Sequence, residues 1–235
     1  SAIMRAGAST VPMTTNELTF ARVTADPSPT WKAENAAASE DTNMAFGGLR
    51  LRAKTLMCLA KVSVELIEDS PNAAQAIENA IAAQMALGLD YAALYGIGAA
   101  EQPSGIYIDE DVPTIEVDGE LSMDNLSDGI FTVMGNNVEP KSAIMHSTVA
   151  AVIDQFKTGD GAYDPGTPAW QKIRQVVSNQ VVTTHGTGSD RSEVFLGNFA
   201  NVLIAMRQGV TIETSREASD SSSSAFSNLQ VWIRA

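Results

Sequence analysis

Chemistry in a protein needs a nucleophile, a proton carrier, a set of metal ligands or a cradle for phosphate, and this sequence offers few candidates. Its two histidines are His146 and His185. Ser147 follows the first, and Ser189 and Asp190 lie near the second, so a serine–histidine–aspartate arrangement is the reading to test. No Gly-x-Ser-x-Gly elbow is present, and a triad is defined by geometry rather than by nearness in sequence. The plainer reading makes His146 a polar strand-end residue and His185 a loop residue. Gly96-Ile97-Gly98 with Gly105 is not a phosphate cradle, because these glycines close a helix instead of opening one and no Lys-Ser/Thr follows. Asp109-Glu110-Asp111 lacks the spacing and the glycine of a calcium loop and reads as a solvated acidic loop. The single cysteine, Cys58, excludes an intramolecular disulfide and a Cys-rich zinc site, and its apolar strand makes it an inert core residue. Met123, Met134 and Met145 sit at core-like positions. The sequence therefore assigns no catalytic residue, no cofactor, no cofactor-binding residue and no metal ligand.

Composition narrows the class further. The chain has 235 residues, of which 44% are hydrophobic, so general disorder is excluded and one sizeable core or two modest lobes can form. Only 18% are charged, so the surface is rich in small polar residues or is covered by partner chains. The net charge is -13, and a reader of nucleic acid needs a basic stripe that this balance argues against. The acid is concentrated: residues 62–140 hold 15 Asp or Glu and no Lys or Arg. The bland reading is a solvated acidic surface; the functional one is repulsion of nucleic acid or pairing with a basic neighbour. No apolar run approaches the ~18 residues that suggest a membrane span, so no membrane partner is expected.

The elements form an α+β pattern with no βαβ repeat. Residues 1–25 read as an extended arm with a short strand at Leu18–Val23. Asp26-Pro27-Ser28-Pro29 is a stiff turn. Residues 26–54 read as two strands running out to a small, polar loop tip and back, bracketed by Trp31 and Phe46. Trp31 is either a core anchor of this ribbon's base or a contact between subunits. The return strand alternates Leu49, Leu51 and Ala53 against Arg50, Arg52 and Lys54, and the alternation continues to Val64. A ribbon of that length cannot bury its own faces and needs another surface. A helix is expected over 71–95, capped by Ser70, begun by Pro71, striped by Ile77, Ile81, Met85, Leu89, Ala92 and Tyr95, and stopped by Gly96. A strand is expected at 105–108, then a helix capped by Ser122, a strand at 142–146 and a helix capped by Ser147. Further strands are expected at 180–184, 193–196, 202–206, 210–214 and 228–234, with a loop at 217–227.

Three blocks of residues resemble one family. The first runs from Trp31-Lys-Ala-Glu34 through Phe46 and Lys54 to Val62-Ser-Val-Glu-Leu-Ile-Glu-Asp-Ser70. The second is Asp90-Tyr-Ala-Ala-Leu-Tyr-Gly-Ile-Gly98 followed by Gln102-Pro-Ser-Gly-Ile106. The third is Phe195-Leu-Gly-Asn-Phe199, Arg207-Gln-Gly-Val-Thr-Ile212 and Val231-Trp-Ile-Arg234. Together, and in this order, they are similar to the major capsid proteins of tailed bacteriophages. The resemblance implies the Hong Kong 97-type major capsid fold. Residues 1–25 would be an N-terminal arm, 26–54 an extended loop over a neighbour, 55–103 a peripheral domain with a spine helix, 104–208 an axial domain and 209–235 return strands of the peripheral domain.

It also implies a structural, non-enzymatic role. Copies of the chain would assemble into hexamers and pentamers of an icosahedral phage head around double-stranded DNA, within the bacterial host cytoplasm, and reside in the virion. The implied partners are further copies, with scaffolding, portal or decoration proteins and non-specific contact with packaged DNA. Trp31, Lys32, Glu34, Phe46, Arg50 and Arg52 become the subunit-contact residues of the extended loop and its base. The same fold would serve an encapsulin-like compartment around a cargo enzyme. Some family members cross-link a loop-tip lysine to a neighbour's asparagine; residues 36–48 hold no lysine, so no such bond is expected. In that family a further segment ordinarily precedes the position of Ser1, and another strand follows that of Ala235. Ile81→Asp should unfold the subunit by placing an unpaired charge on the buried helical stripe. A folded variant with unchanged thermal melting would show that the stripe faces elsewhere.

Overall fold

The computed structural model describes residues 1–27, 29–35, 44–99, 101–117, 119–185, 191–219 and 223–235. A short helix, α1 (Ala2–Ala6), precedes strand β1 (Ser9–Pro12) and the ribbon strands β2 (Glu17–Ala25) and β3 (Ala45–Arg52). Strand β4 (Leu59–Ser63) runs directly into helix α2 (Val64–Asp69), and the long helix α3 (Ala73–Tyr95) follows. Helix α4 (Met123–Gly135), strand β5 (Ser142–Met145), helix α5 (Ser147–Asp154) and strands β6 (Arg174–Val177), β7 (Val194–Gly197) and β8 (Leu203–Met206) build the second half. Strands β9 (Glu213–Ser215) and β10 (Gln230–Arg234) end it.

Among the described residues there are four small sheets: β2 and β3 pair only with each other; β10 lies between β4 and β9, antiparallel to both; β5 lies between β6 (parallel) and β7 (antiparallel); β1 pairs in parallel with β8. The apolar stripe of α3 serves two cores. Ile77, Ile81 and Met85 pack with Val231 and Ile233 of β10 and with Ala60 and Val62 of β4. Leu94 and Tyr95, at the other end, join α1, Ile144 of β5 and Val176 of β6. At 1.5 Å per residue these 23 residues span about 34 Å, so the helix braces one core against the other. A third cluster joins Leu126 and Ile130 of α4 to Ala143 and Met145 of β5, with Ile153 and Trp170. Strand alternation explains why every residue of β5 is buried: Ile144 enters one core, and Ala143 and Met145 enter the other.

Several elements depart from the sequence expectation for identifiable reasons. The outgoing ribbon strand is β2, upstream of residue 26; the prolines that follow cannot extend its ladder. The long alternation from Leu49 to Val64 is broken at residues 53–58. It then ends in α2, because the Ser63 hydroxyl accepts from the Leu66 N–H and starts a helix. Ser70 therefore closes α2, and Asn72, not Ser70, precedes α3. Residues Ile106–Ile108 form one 3₁₀ turn rather than a strand. No strand forms among the described residues of 180–184, β9 begins at Glu213 rather than 210, and β6 was not anticipated. Met134 is 40% exposed and so is no core residue, whereas Met145 is fully buried. The lysine-free tip at 36–43, together with Ser189, Asp190, Ser221 and Ser222, lies outside the described residues.

The glycines after α3 are explained by close packing. Gly105 N–H donates to the Gly96 carbonyl at 2.7 Å, and Gly98 N–H donates to the Pro103 carbonyl at 3.1 Å. A Cβ on Gly96 would lie 2.2 Å from the Pro103 oxygen, and one on Gly105 would lie 2.4 Å from the Gly96 nitrogen. Two backbone segments thus cross where no side chain fits.

Asp90 is a buried carboxylate, 2% exposed, five residues before the end of the shared helix at Tyr95. It accepts from the Ser1 hydroxyl at 2.5 Å, the Ala2 N–H at 2.6 Å and the Ile3 N–H at 3.0 Å. These N–H groups belong to the first turn of α1, which has no internal partner for them. Asp90→Ala should therefore lower the stability of the unassembled subunit by about 2–4 kcal/mol, since it leaves buried donors unpaired. Denaturant unfolding checks this, and Asp90→Asn, which retains one acceptor oxygen, should lose less.

Candidate functional site

Both histidines have structural partners. His146 is the N-cap of α5: its Nδ1 accepts from the Thr148 N–H at 3.2 Å and lies 2.8 Å from the Thr148 hydroxyl. The expected cap, Ser147, is instead the first helical residue. His185 Nδ1 is bonded to Glu193, and the His185 ring lies 5.0 Å from that of Tyr107. Tyr95 joins the same group from the end of α3. Its hydroxyl donates to Glu193 at 2.6 Å and accepts from the Val182 N–H at 3.1 Å. The neighbouring Ser192 hydroxyl donates to the Val182 carbonyl at 2.9 Å. Glu193, Tyr95 and Ser192 are thus committed to one another and to backbone, and the cluster fastens α3 to the 181–185 segment and to β7.

Burial raises the Tyr95 phenol well above its ordinary value, with the hydrogen bond to Glu193 acting in the same direction. His185 and Glu193 line an open cleft of about 1840 Å³, which also touches Leu49 and Leu51 of β3 and Tyr91 of α3. Among the described residues no group of three or more His, Cys, Asp or Glu is placed to hold a metal ion, and no helix is long and apolar enough to cross a membrane. Cys58 is half-buried beside β4, where its N–H and carbonyl pair with Ala235 at 3.0 Å.

The ribbon is the other candidate. Its register sets Leu18 opposite Leu51 and Phe20 opposite Leu49, an apolar pair of rungs on one face. The opposite face carries Glu17 with Arg52, Thr19 with Arg50 and Val23 with Phe46. Glu17 sits 3.4 Å from Arg52 and 3.8 Å from Arg50, and Arg22 reaches Asp111 at 3.5 Å; all are exposed pairs that contribute little to stability. Lys32 and Glu34 are exposed beyond the paired strands. Trp31 is fully exposed, and Phe46 is 66% exposed. Trp31 is therefore no core anchor within its own chain. The structure brings Arg50, Arg52 and Phe46 onto one face of the ribbon and sets Trp31, Lys32 and Glu34 beyond it.

The chain is thus a mixed α+β body with a long shared helix and a two-stranded ribbon. The phage capsid family profile matches residues 1–235, and the chain belongs to that family. It is a structural, non-enzymatic protein of the bacteriophage capsid class.

Among solved structures, the capsid of an empty GTA particle is 19% identical, with a TM-score of 0.78, over 99% of this chain and 82% of that one. A chain of Mycobacterium phage Ogopogo is 16% identical, with a TM-score of 0.78, over 100% of this chain and 85% of that one. A chain of Mycobacterium phage Cain is 16% identical, with a TM-score of 0.71, over 100% and 81%. No curated protein matches the chain in sequence.

The Tyr95 cluster predicts an alkaline dependence of stability. Because the folded state holds the phenol proton more tightly than the unfolded chain, whose tyrosine has the ordinary value of 10.0, this contribution is intact below that pH and is lost progressively above it. In Tyr95→Phe the added loss between about pH 10 and pH 11 should be absent, although the variant starts from lower stability. Denaturant midpoints of the unassembled subunit across that range measure the difference.

Proposed function

We propose that the chain is the repeating subunit of a closed icosahedral phage head, with the Hong Kong 97-type arrangement of its parts. In this reading the ribbon, including residues 26–54, lies over a neighbouring subunit. Residues 55–103 and 209–235 form the peripheral domain, and residues 104–208 form the axial domain that closes hexamers and pentamers. Such rings use heterologous contacts that close by rotation, and many weak contacts acting together hold the shell. Trp31, Lys32, Glu34, Phe46, Arg50 and Arg52 are its subunit-contact residues.

The observation that carries the reading is the ribbon itself. Among the described residues β2 and β3 pair with no third strand, and the far end presents Trp31 and Phe46 to solvent. An isolated two-stranded ribbon is marginal in water, and exposed aromatics of this size are what an interface buries. The shell would enclose double-stranded DNA. The net charge of -13, with 15 acids and no base over 62–140, supports limited, non-specific contact with it. Scaffolding, portal and decoration proteins are the further partners proposed, and assembly takes place in the bacterial host cytoplasm before the subunit resides in the virion.

Sizing of the purified chain under assembly conditions tests the proposal, and megadalton particles are the expected product. Deleting residues 36–46 should leave a folded subunit that makes no closed shells. Normal particles from the deletion variant, seen by negative-stain microscopy, would remove the loop from the interface.

A further inference from the structure

The ribbon joins the body by two routes of unlike construction. From β3 the chain runs through residues 53–58, which form neither helix nor strand, before β4 begins. Lys54, Thr55, Leu56 and Met57 are exposed there, although Leu56 reaches α3, where a Cβ on Gly88 would lie 3.4 Å from it. From β2, traced backwards, the chain runs through residues 14–16 into β1 and α1, and this route is bonded along its length. The Met13 N–H donates to the Met206 carbonyl at 2.9 Å, and the Ser9 N–H donates to the Val202 carbonyl at 3.0 Å. Between them β1 lies along β8, with Ser9 opposite Leu203 and Pro12 opposite Met206. The Ser142 hydroxyl donates to the Ala6 carbonyl at 2.9 Å, and the Arg5 guanidinium donates to the Val177 carbonyl at 3.0 Å. Ile3, Ala6 and Met13 are buried.

Residues 1–13 thus form one strap with two fastenings. At one end the Asp90 carboxylate takes the Ser1 hydroxyl and the Ala2 and Ile3 N–H groups. At the other, the Ala53 N–H donates to the Asn16 carbonyl at 2.9 Å and closes the ribbon root, one step below the Glu17–Arg52 rung. The parts between depend on each other. A helix of five residues is far too short to hold in water and keeps its shape only while seated. Among the described residues β1 has β8 as its one neighbour, and a parallel pair of four residues is no stronger. Segments of this kind open and close as units.

We infer that Asp90 is a positioning residue for the ribbon. Acting through α1 and β1, it sets where the ribbon root sits, so that the ribbon follows the shared helix by way of the strap and not by way of residues 53–58. Loss of the Asp90 fastening unseats α1, frees β1 and lets the ribbon swing. Coupling between two sites is reciprocal, so a partner that covers and fixes the ribbon also tightens the seating of α1 on Asp90. The inference concerns the single subunit and stands apart from the shell reading.

The test measures the position of the ribbon in the folded, unassembled subunit. In a Cys58→Ser background, nitroxide labels are placed at Ala21 of β2 and Gln84 of α3, both exposed, and their distance distribution is read by pulsed electron spin resonance. A second pair, Gln84 and Asn136, both exposed, reports on the body alone. Asp90→Asn sets an amide N–H against the strap's own donors, and it should broaden the ribbon distribution to roughly twice its parent width while the body pair keeps its own. Leu56→Ala, which loosens the other route, should leave both distributions as in the parent. Ser142→Ala removes a different strap bond and should broaden the ribbon distribution by less than Asp90→Asn; it carries the test alone if Asp90→Asn does not fold. An unchanged ribbon distribution in the strap variants overturns the inference. So does broadening of the body pair along with the ribbon pair, or a Leu56→Ala effect as large as that of the strap variants.

Discussion

One helix is shared by two hydrophobic cores, and the rest of the subunit is arranged around that constraint. α3 gives Ile77, Ile81 and Met85 to the β4–β10 sheet and Leu94 and Tyr95 to the core of α1, β5 and β6. Neither group of residues can shift along the helix without disturbing the other, because the backbone ladder between them is continuous. The buried Asp90 lies between the two groups and fastens α1 at the same place. Just beyond the helix, the crossing of Gly96 and Gly105 fixes the direction in which the chain leaves it. The shared helix therefore sets the distance between the two lobes, and its far end sets their relative orientation.

The ribbon obeys the opposite rule. It belongs to neither core, is tied to the body by the exposed Arg22–Asp111 pair, and keeps its largest aromatics in water. The body has its own buried clusters, whereas a two-stranded ribbon is by itself marginal in water. In a protein of the phage capsid family this division fits the proposed shell reading, in which the body carries the fold and the arm is assigned the association.

What the sequence revealed was local. The 3.6-residue stripe located α3, the Ser122 cap located α4, and the alternation at 229–234 located β10. What it concealed was long-range. Nothing in the sequence distinguishes Asp90 from a solvated helical acid, because its partners lie almost ninety residues away at Ser1, Ala2 and Ile3. β6 is four residues long and owes its existence to parallel pairing with β5, which local patterns do not report. α2 carried a readable signal in Ser63 followed by Glu65, and the apolar alternation across Val62 and Val64 masked it. Among the candidate contact residues, alternation placed Arg50 and Arg52 on one ribbon face, as the register does. The exposure of Trp31, by contrast, needed coordinates, since a tryptophan at a ribbon base is as often an anchor as a contact.

The uneven distribution of basic residues has a practical consequence at the bench. Between Lys61 and Lys141 there is no lysine or arginine. Trypsin therefore finds no cleavage site within that stretch, and α2, α3 and α4 leave the digest on one acidic peptide. Peptide mapping of this protein needs a protease that cuts at glutamate or aspartate.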